Sequence, residues 1–251
     1  MPRYFINLAY RGAPFHGWQI QPGEVTVQQV LEDALGKIMR VPTPVTGAGR
    51  TDAGVNARMM IAHFDSVELI EDAAGVVRSL NAMCGRDIAV RNVRQVADDA
   101  HARFDATSRT YHYYATLGKS PFFHTLSWQA PPRLDFEAMN VAAKHLLEVS
   151  DFASFAKLHS DAKTTICRVT QAEWQPVAGG EGMVFVITAD RFLRNMVRAV
   201  VGTLVDVGRG KITPGQFAAI IAERDRCAAG TSMPPQALYL WNVTYPYYNP
   251  L

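Results

Sequence analysis

Cysteine is scarce in this 251-residue chain, and neither cysteine nor histidine occurs with a metal-binding spacing. The three cysteines, Cys84, Cys167 and Cys227, are an odd number, lie far apart and form no C-x-x-C pair. This pattern argues against a disulfide framework and against a zinc knuckle. The seven histidines form no H-E-x-x-H pair. We therefore expect no metal site, and any chemistry must come from ordinary side chains.

Long apolar runs and a strong charge of one sign are also missing. No stretch approaches the roughly 18 uncharged apolar residues that would span a bilayer. The start, Met-Pro-Arg-Tyr-Phe-Ile-Asn, has neither a secretory nor a transit pattern, so we expect a cytoplasmic protein. The net charge of +2 does not by itself indicate a nucleic-acid binder. However, 19 of the 25 basic residues are arginine, whose planar fork suits phosphates and base edges. A GC-rich genome would raise the share of arginine without any function, so both explanations stay open.

The hydrophobic fraction of 48% is enough for one large domain or two small ones. Alternation from Tyr4 to Tyr10 predicts a first strand, and the capping box of Thr26 and Gln29 predicts a helix at 27–39. Further helices are expected at 72–83, after the cap Asp135, at 192–206 and after Thr213-Pro214. Further strands are expected at 59–64, 88–96, 108–117, 165–175 and 183–189, the last two joined at Gly179 and Gly180, and at 238–243. This order predicts an α+β protein with two α/β halves, an N-terminal one over 1–105 and a C-terminal one over 106–251.

The loop at 47–57 carries the clearest chemical signal. Its three glycines allow sharp turns and let a ligand approach the backbone. A dinucleotide fingerprint is excluded, because Asp52 stands where a glycine is needed and a strand follows instead of a helix. Asp52 could be a turn residue that bonds its own backbone. Arg50 and Arg58 lie near it in sequence, and cations favour an ionised carboxylate, which can act as nucleophile or base.

Motifs along the whole chain resemble the tRNA pseudouridine synthase A family. They are Tyr10-Arg11-Gly12, Phe15-His16-Gly17-Trp18-Gln19, Gly49-Arg50-Thr51-Asp52-Ala53-Gly54-Val55, Ala62-His63-Phe64, Leu80-Asn81 with Asp87-Ile88, His101-Ala102-Arg103-Phe104, Ser108-Arg109 with Tyr111 and Tyr113, Ser120-Pro121-Phe122, Asp151-Phe152 with Ser154-Phe155, Phe192-Leu193 with Met196-Val197-Arg198 and Val201-Gly202, and Leu238-Tyr239-Leu240. Each motif is weak alone. Their order over about 230 residues makes the combined match strong.

The resemblance implies an enzyme that detaches a uracil from its ribose at positions 38–40 of the tRNA anticodon stem-loop and rejoins it through carbon. It places the catalytic aspartate at Asp52, the base-stacking tyrosine at Tyr111, a cation partner for the aspartate at Arg198 and an RNA contact at Arg50. We add Arg58 as a second substrate-binding residue. The family also implies no cofactor, a homodimer, and mainly antiparallel, ferredoxin-like halves that flank a central RNA-binding cleft.

Tyr111 and Arg198, the two site residues in the C-terminal half, each have a simpler structural interpretation. Tyr111 could be a strand tyrosine of the core, since aromatic residues favour strands. Arg198 could lie on a solvated helix face. Under the catalytic hypothesis, Tyr111 instead stacks on a flipped uracil, and Arg198 keeps Asp52 ionised.

The sequence departs from the family pattern at three positions. Asn56 and Ser150 stand where the family usually has histidine, and Ala237 stands where it usually has glycine. None is a proposed catalytic residue. These departures concern loop details and RNA contacts more than the reaction.

Two other functions remain open at this stage. A non-catalytic tRNA-binding or RNA-folding module would use the same cleft and leave RNA composition unchanged. A glycoside hydrolase would need a second carboxylate opposite Asp52. Asp65 and Asp151 are the loop acids we consider for this role, and neither has a supporting motif.

Overall fold

The chain folds into two compact units. The computed structural model describes residues 1–157, 163–177, 179 and 182–249. The first unit comprises Met1–Thr107 with Leu240–Leu251, and the second comprises Ser108–Tyr239. The units are mixed α+β with mainly antiparallel strand pairing, as the sequence predicts.

The first unit is built from a β-α-β-β-α-β series. Its elements are β1 (Arg3–Tyr10), α1 (Val27–Met39), β2 (Thr46–Gly47), β3 (Asn56–Asp65), α2 (Ala73–Met83) and β4 (Ile88–Val96). Strand β1 lies between β4 and β3 and is antiparallel to both, and the short β2 pairs with β3. This arrangement is ferredoxin-like.

Local capping sets the helix boundaries in this unit. The Thr26 hydroxyl accepts a hydrogen bond from the Gln29 N–H at 3.3 Å. Helix α1 begins directly after Thr26, at Val27, as predicted. Asp72 caps α2 in the same way through the N–H of Gly75 at 2.7 Å. Near the other end of α2, the amide of Asn81 both donates to and accepts from the backbone of Val90 at 2.8 Å. This pair fixes α2 to β4.

Apart from the short strand β6, the second unit begins with the same order of strands and α-helices, β-α-β-β-α. Its elements are β5 (Ser108–Thr116), β6 (Trp128–Gln129), α3 (Phe136–Ala143), β7 (Val169–Pro176), β8 (Gly182–Ala189), α4 (Met196–Gly208) and α5 (Pro214–Glu223). Strand β8 is antiparallel to both β5 and β7, and the short β6 pairs in parallel with the last two residues of β5. Of the turn predicted at Gly179 and Gly180, Gly180 lies outside the described residues.

Helix α4 is buried along nearly its whole surface. Within its range only Arg198 and Asp206 are not buried. The helix begins at Met196, later than the predicted start at 192, because Asn195 adopts a left-handed conformation with φ of +67°. A residue with that backbone conformation cannot continue a right-handed helix.

The last strand, β9 (Leu238–Thr244), leads the chain back to the first unit, where it lies next to β3. Beyond it, Tyr245 and Tyr248 pack against Phe5 of β1, with ring centroids 5.3 and 5.1 Å apart. This aromatic cluster covers Phe5 completely. Chain order alone places these residues with the C-terminal half, whereas their packing places them with the first unit.

A turn at 100–105 is fixed to β3 by a buried histidine. His63 accepts the N–H of Ala102 at its Nδ1, 3.1 Å away, and Tyr245 donates its hydroxyl to the Ala102 carbonyl. Burial, and then the charges of Arg3 and His101, lower the pKa of His63 from 6.5 to about 4. His63 is therefore neutral at physiological pH and serves as an acceptor in this contact.

None of the helices in the described ranges combines the length and the apolar character needed to cross a membrane.

The lowered pKa of His63 predicts acid sensitivity of the fold. Below pH 6.5 His63 of the unfolded chain binds a proton, whereas His63 of the folded protein stays neutral until the pH approaches about 4. Stability is therefore lost as the pH falls through this window, by about 2 kcal/mol between pH 7 and pH 5. Urea unfolding at the two pH values measures this loss. The variant His63→Gln retains an acceptor but does not titrate, and an undiminished pH slope in it would contradict the assignment.

Candidate active site

The loop that carries Asp52 is fixed at the residue before it. Thr51 is buried, and its hydroxyl shares a hydrogen bond of 2.8 Å with the hydroxyl of Tyr10 at the end of β1. Its carbonyl accepts the N–H of Trp18 at 3.2 Å. Trp18 is tied in turn to the start of α1, because its own carbonyl accepts the N–H of Gln28 at 3.0 Å. The backbone next to Asp52 is thus held from two elements.

Two glycines allow this close approach of the loop to the segment after β1. Gly17 has φ of +86°, and a Cβ there would lie 2.5 Å from the carbonyl oxygen of Thr51. A Cβ on Gly12 would lie 2.2 Å from the carbonyl oxygen of Val55. Both distances are too short for any other residue type. The motifs around Gly12 and Gly17 therefore belong to the same structural unit as the Asp52 loop.

Asn56 closes the other end of the loop. It is buried, and its side-chain oxygen accepts the N–H of Gly12 at 2.8 Å. The departure from the family pattern at Asn56 thus concerns a residue whose side chain forms a hydrogen bond between the loop and Gly12. Sequence motifs alone did not reveal this role, because the partner is a backbone N–H far away in sequence.

Asp52 itself is half-buried, and its carbonyl accepts the N–H of Val55 at 3.1 Å to form a tight turn. The backbone of Asp52 thus takes part in a turn. Arg50, two residues before, is exposed. The loop combines a fixed backbone, a partly accessible carboxylate and an accessible cation.

Arg58 lies on β3 of the same unit. Its guanidinium sits over the ring of Trp241 of β9, 4.5 Å from the ring centroid. Such a cation–π contact restrains a long side chain while leaving its charge available to a phosphate. Trp241 is a contributor that the sequence motifs did not indicate.

Tyr111 lies on the buried face of β5 in the second unit, together with Tyr113 and Ala115. Its ring meets the ring of Phe192 edge to face, with centroids 5.0 Å apart and an interplanar angle of 84°. Phe192 precedes α4, so the contact links the strand to the segment that leads into that helix. The side chain of Tyr111 retains 9% exposure.

Arg198 lies in the first turn of α4 and is half-buried. Its Nε donates to the carbonyl of Met233 at 2.6 Å, and the N–H of Met233 donates to the carbonyl of Arg198 at 3.1 Å. Tyr113 donates its hydroxyl to the neighbouring carbonyl of Pro234 at 3.2 Å. Burial raises the pKa of Tyr113 well above its ordinary value, and the charge of Arg198 lowers this pKa by a smaller amount. Tyr113 therefore remains a protonated donor beside Arg198.

The sequence-predicted residues thus divide into two groups. Asp52, Arg50 and Arg58 belong to the first unit, and Tyr111 and Arg198 belong to the second. Across the described ranges, no three histidine, cysteine, aspartate or glutamate side chains converge where a metal ion could bind.

Comparison with known proteins identifies the family. A family described as tRNA pseudouridine synthase matches residues 142–246. The tRNA pseudouridine synthase A of Parabacteroides distasonis is 56% identical over 98% of this chain and 97% of its own length. The protein of the same name from Bacteroides thetaiotaomicron is 54% identical over 98% of this chain and 91% of its own, and that from Geobacter sulfurreducens is 40% identical over 96% and 98%. The chain therefore belongs to the tRNA pseudouridine synthase A family.

Proposed function

We propose that this protein isomerises uridine to pseudouridine at positions 38–40 in the anticodon stem-loop of tRNA. The family membership supports the reaction class. The observation that carries the proposal in this chain is the loop of Asp52, whose backbone is fixed through Thr51 and whose carboxylate is partly accessible. A partly accessible carboxylate on a fixed backbone suits covalent or acid–base catalysis.

Asp52 acts in its ionised form in each chemical route we consider. The carboxylate can attack the sugar carbon, add to the uracil ring, or remove a sugar proton to give a glycal. All three routes need a negative charge beside the flipped nucleotide. We propose Arg198 as the cation that maintains this charge, so the proposal requires the Asp52 carboxylate and the Arg198 guanidinium to meet in the complex with tRNA.

Tyr111 supplies the platform for the flipped base. Removing a uridine from its stack costs a few kcal/mol, and stacking on an aromatic ring recovers about 1–3 kcal/mol. The edge-to-face contact with Phe192 supports this role, because it holds the Tyr111 ring in one orientation.

Arg50 and Arg58 bind the tRNA through its phosphates. Arg50 is exposed, and Arg58 is restrained over Trp241. Phosphate contacts give affinity and salt dependence without reading the sequence. We propose that specificity comes from the shape of the stem-loop, and that the enzyme works without a cofactor as a cytoplasmic homodimer.

Replacing Asp52 tests the chemistry directly. Because the new bond forms at C5 of uracil, tRNA labelled with tritium at C5 releases tritium as the reaction proceeds. We expect Asp52→Asn to bind tRNA with nearly unchanged affinity and to release tritium at least about a thousandfold more slowly, within the range of a positioned catalytic group.

The matched control is Asp33→Asn, which removes an exposed carboxylate from α1 of the same unit and should release tritium at the wild-type rate. Equal tritium release from wild type and Asp52→Asn would refute the catalytic role. Strong salt-sensitive binding with no release from wild type would favour the non-catalytic RNA-binding module.

Two substitutions at Tyr111 separate stacking from other roles of the side chain. Tyr111→Phe retains the ring, so we expect it to keep most of the wild-type kcat/KM. Tyr111→Ala removes the platform and should lower kcat/KM by about 5- to 150-fold, the equivalent of about 1–3 kcal/mol. Single-turnover tritium release measures both variants. If Tyr111→Phe lost as much activity as Tyr111→Ala, the hydroxyl and not the ring face would be the essential group.

A further inference from the structure

A strap formed by residues 226–234 lies directly on the backbone of α4. At Gly202 the approach is so close that a Cβ would lie 1.8 Å from the carbonyl oxygen of Thr231. One turn away from Arg198, the hydroxyl of Thr203 accepts the N–H of Gly230 at 2.9 Å. These contacts leave the strap little freedom to move along the helix.

Backbone groups of the strap bind Arg198. Arg198 donates through Nε to the Met233 carbonyl at 2.6 Å, and Met233 donates its N–H to the Arg198 carbonyl at 3.1 Å. A guanidinium is planar, so a bond at Nε fixes the direction in which its two terminal nitrogens point. The position of the Met233 carbonyl therefore sets the orientation of the Arg198 guanidinium.

Ser232, next to Met233, connects the strap to the start of the helix. Its hydroxyl oxygen accepts from the Asn195 side chain at 2.6 Å and from Nη2 of Arg226 at 3.1 Å. Asn195 is the left-handed residue immediately before α4. Through Nη1, Arg226 also donates to the carbonyls of Ala229 and Gly230, each at 3.3 Å. The Ser232 hydroxyl thus links Asn195, just before α4, to Arg226 at the beginning of the strap.

We propose that Ser232 is a positioning residue, which holds the strap so that the Met233 carbonyl fixes the orientation of the Arg198 guanidinium. This proposal rests on the proposed function, in which Arg198 keeps Asp52 ionised. It also assigns a purpose to Arg226, whose guanidinium is engaged within the strap. Small displacements of an orienting group reduce catalysis strongly, because the charge no longer meets the reacting group at the right geometry.

The test compares Ser232→Ala with two matched variants. Ser154→Ala is the control, because it also removes a serine hydroxyl bonded within this unit, to the Ile220 carbonyl at 2.7 Å, but away from the strap. Ser232→Thr keeps a hydroxyl at this half-buried position. Tritium release from tRNA gives kcat and KM, and the pH dependence of kcat gives the acid limb.

We expect Ser232→Ala to lower kcat about tenfold with KM for tRNA unchanged, since Ser232 does not bind the substrate. Its acid limb should move to higher pH, because a carboxylate that loses a well-placed cation takes up its proton more readily. Ser232→Thr should recover most of kcat, and Ser154→Ala should match wild type. A Ser232→Ala enzyme that behaves like Ser154→Ala, or a Ser232→Thr enzyme as slow as Ser232→Ala, would overturn the proposal.

A second measurement is independent of the reaction. In ¹H–¹⁵N spectra of the full chain, the Nε–H signal of Arg198, assigned by its loss in Arg198→Lys, should be protected from solvent exchange in wild type and Ser154→Ala. In Ser232→Ala this protection should fall. Unchanged protection would overturn the positioning role, even if wild type were inactive. Absence of tritium release from wild type would overturn the proposed function instead.

Discussion

The hydrogen bond between the buried hydroxyls of Tyr10 and Thr51 is the contact on which the candidate site depends. A hydrogen bond between two buried polar groups is costly to break. Together with the bond from Trp18 to the Thr51 carbonyl, it fixes the backbone immediately before Asp52. A half-buried carboxylate on an ordinary loop could adopt many positions, whereas here the preceding residue is held from β1 and from the segment before α1.

The guanidinium of Arg198 is held in place by contacts of a different kind from those that hold the Asp52 loop. Arg198 stands on a helix that is otherwise almost entirely buried, so the helix cannot shift without disturbing the core of its unit. The side chain is then oriented by a backbone carbonyl, that of Met233. The backbone that carries Asp52 is thus fixed through its neighbour in sequence, and the guanidinium of Arg198 is fixed by a distant segment. In the first case the hydrogen bonds restrict a loop backbone, and in the second case they restrict a side chain that would be flexible in water.

Much of the fold follows from local signals in the sequence. The helices α1, α2 and α5 begin where Thr26, Asp72 and Thr213 supply a side-chain cap, because a cap acts within three residues of its own position. For α4 the sequence predicts too early a start. Its apolar spacing extends back to Phe192, but the left-handed Asn195 interrupts the helix, and apolar periodicity carries no information about the sign of φ.

The sequence by itself determined the α+β class, the loop around Asp52 and the family to which the motifs belong, since these are encoded by residue type and short spacing. Only the tertiary structure decided that Tyr10, Gly17 and Asn56 hold that loop, that the tyrosines after β9 pack on Phe5, and that a backbone carbonyl orients Arg198. The physical reason is that these contacts join residues far apart in the chain. In several of them one partner is a backbone group, which is the same in every residue and leaves no mark in the sequence.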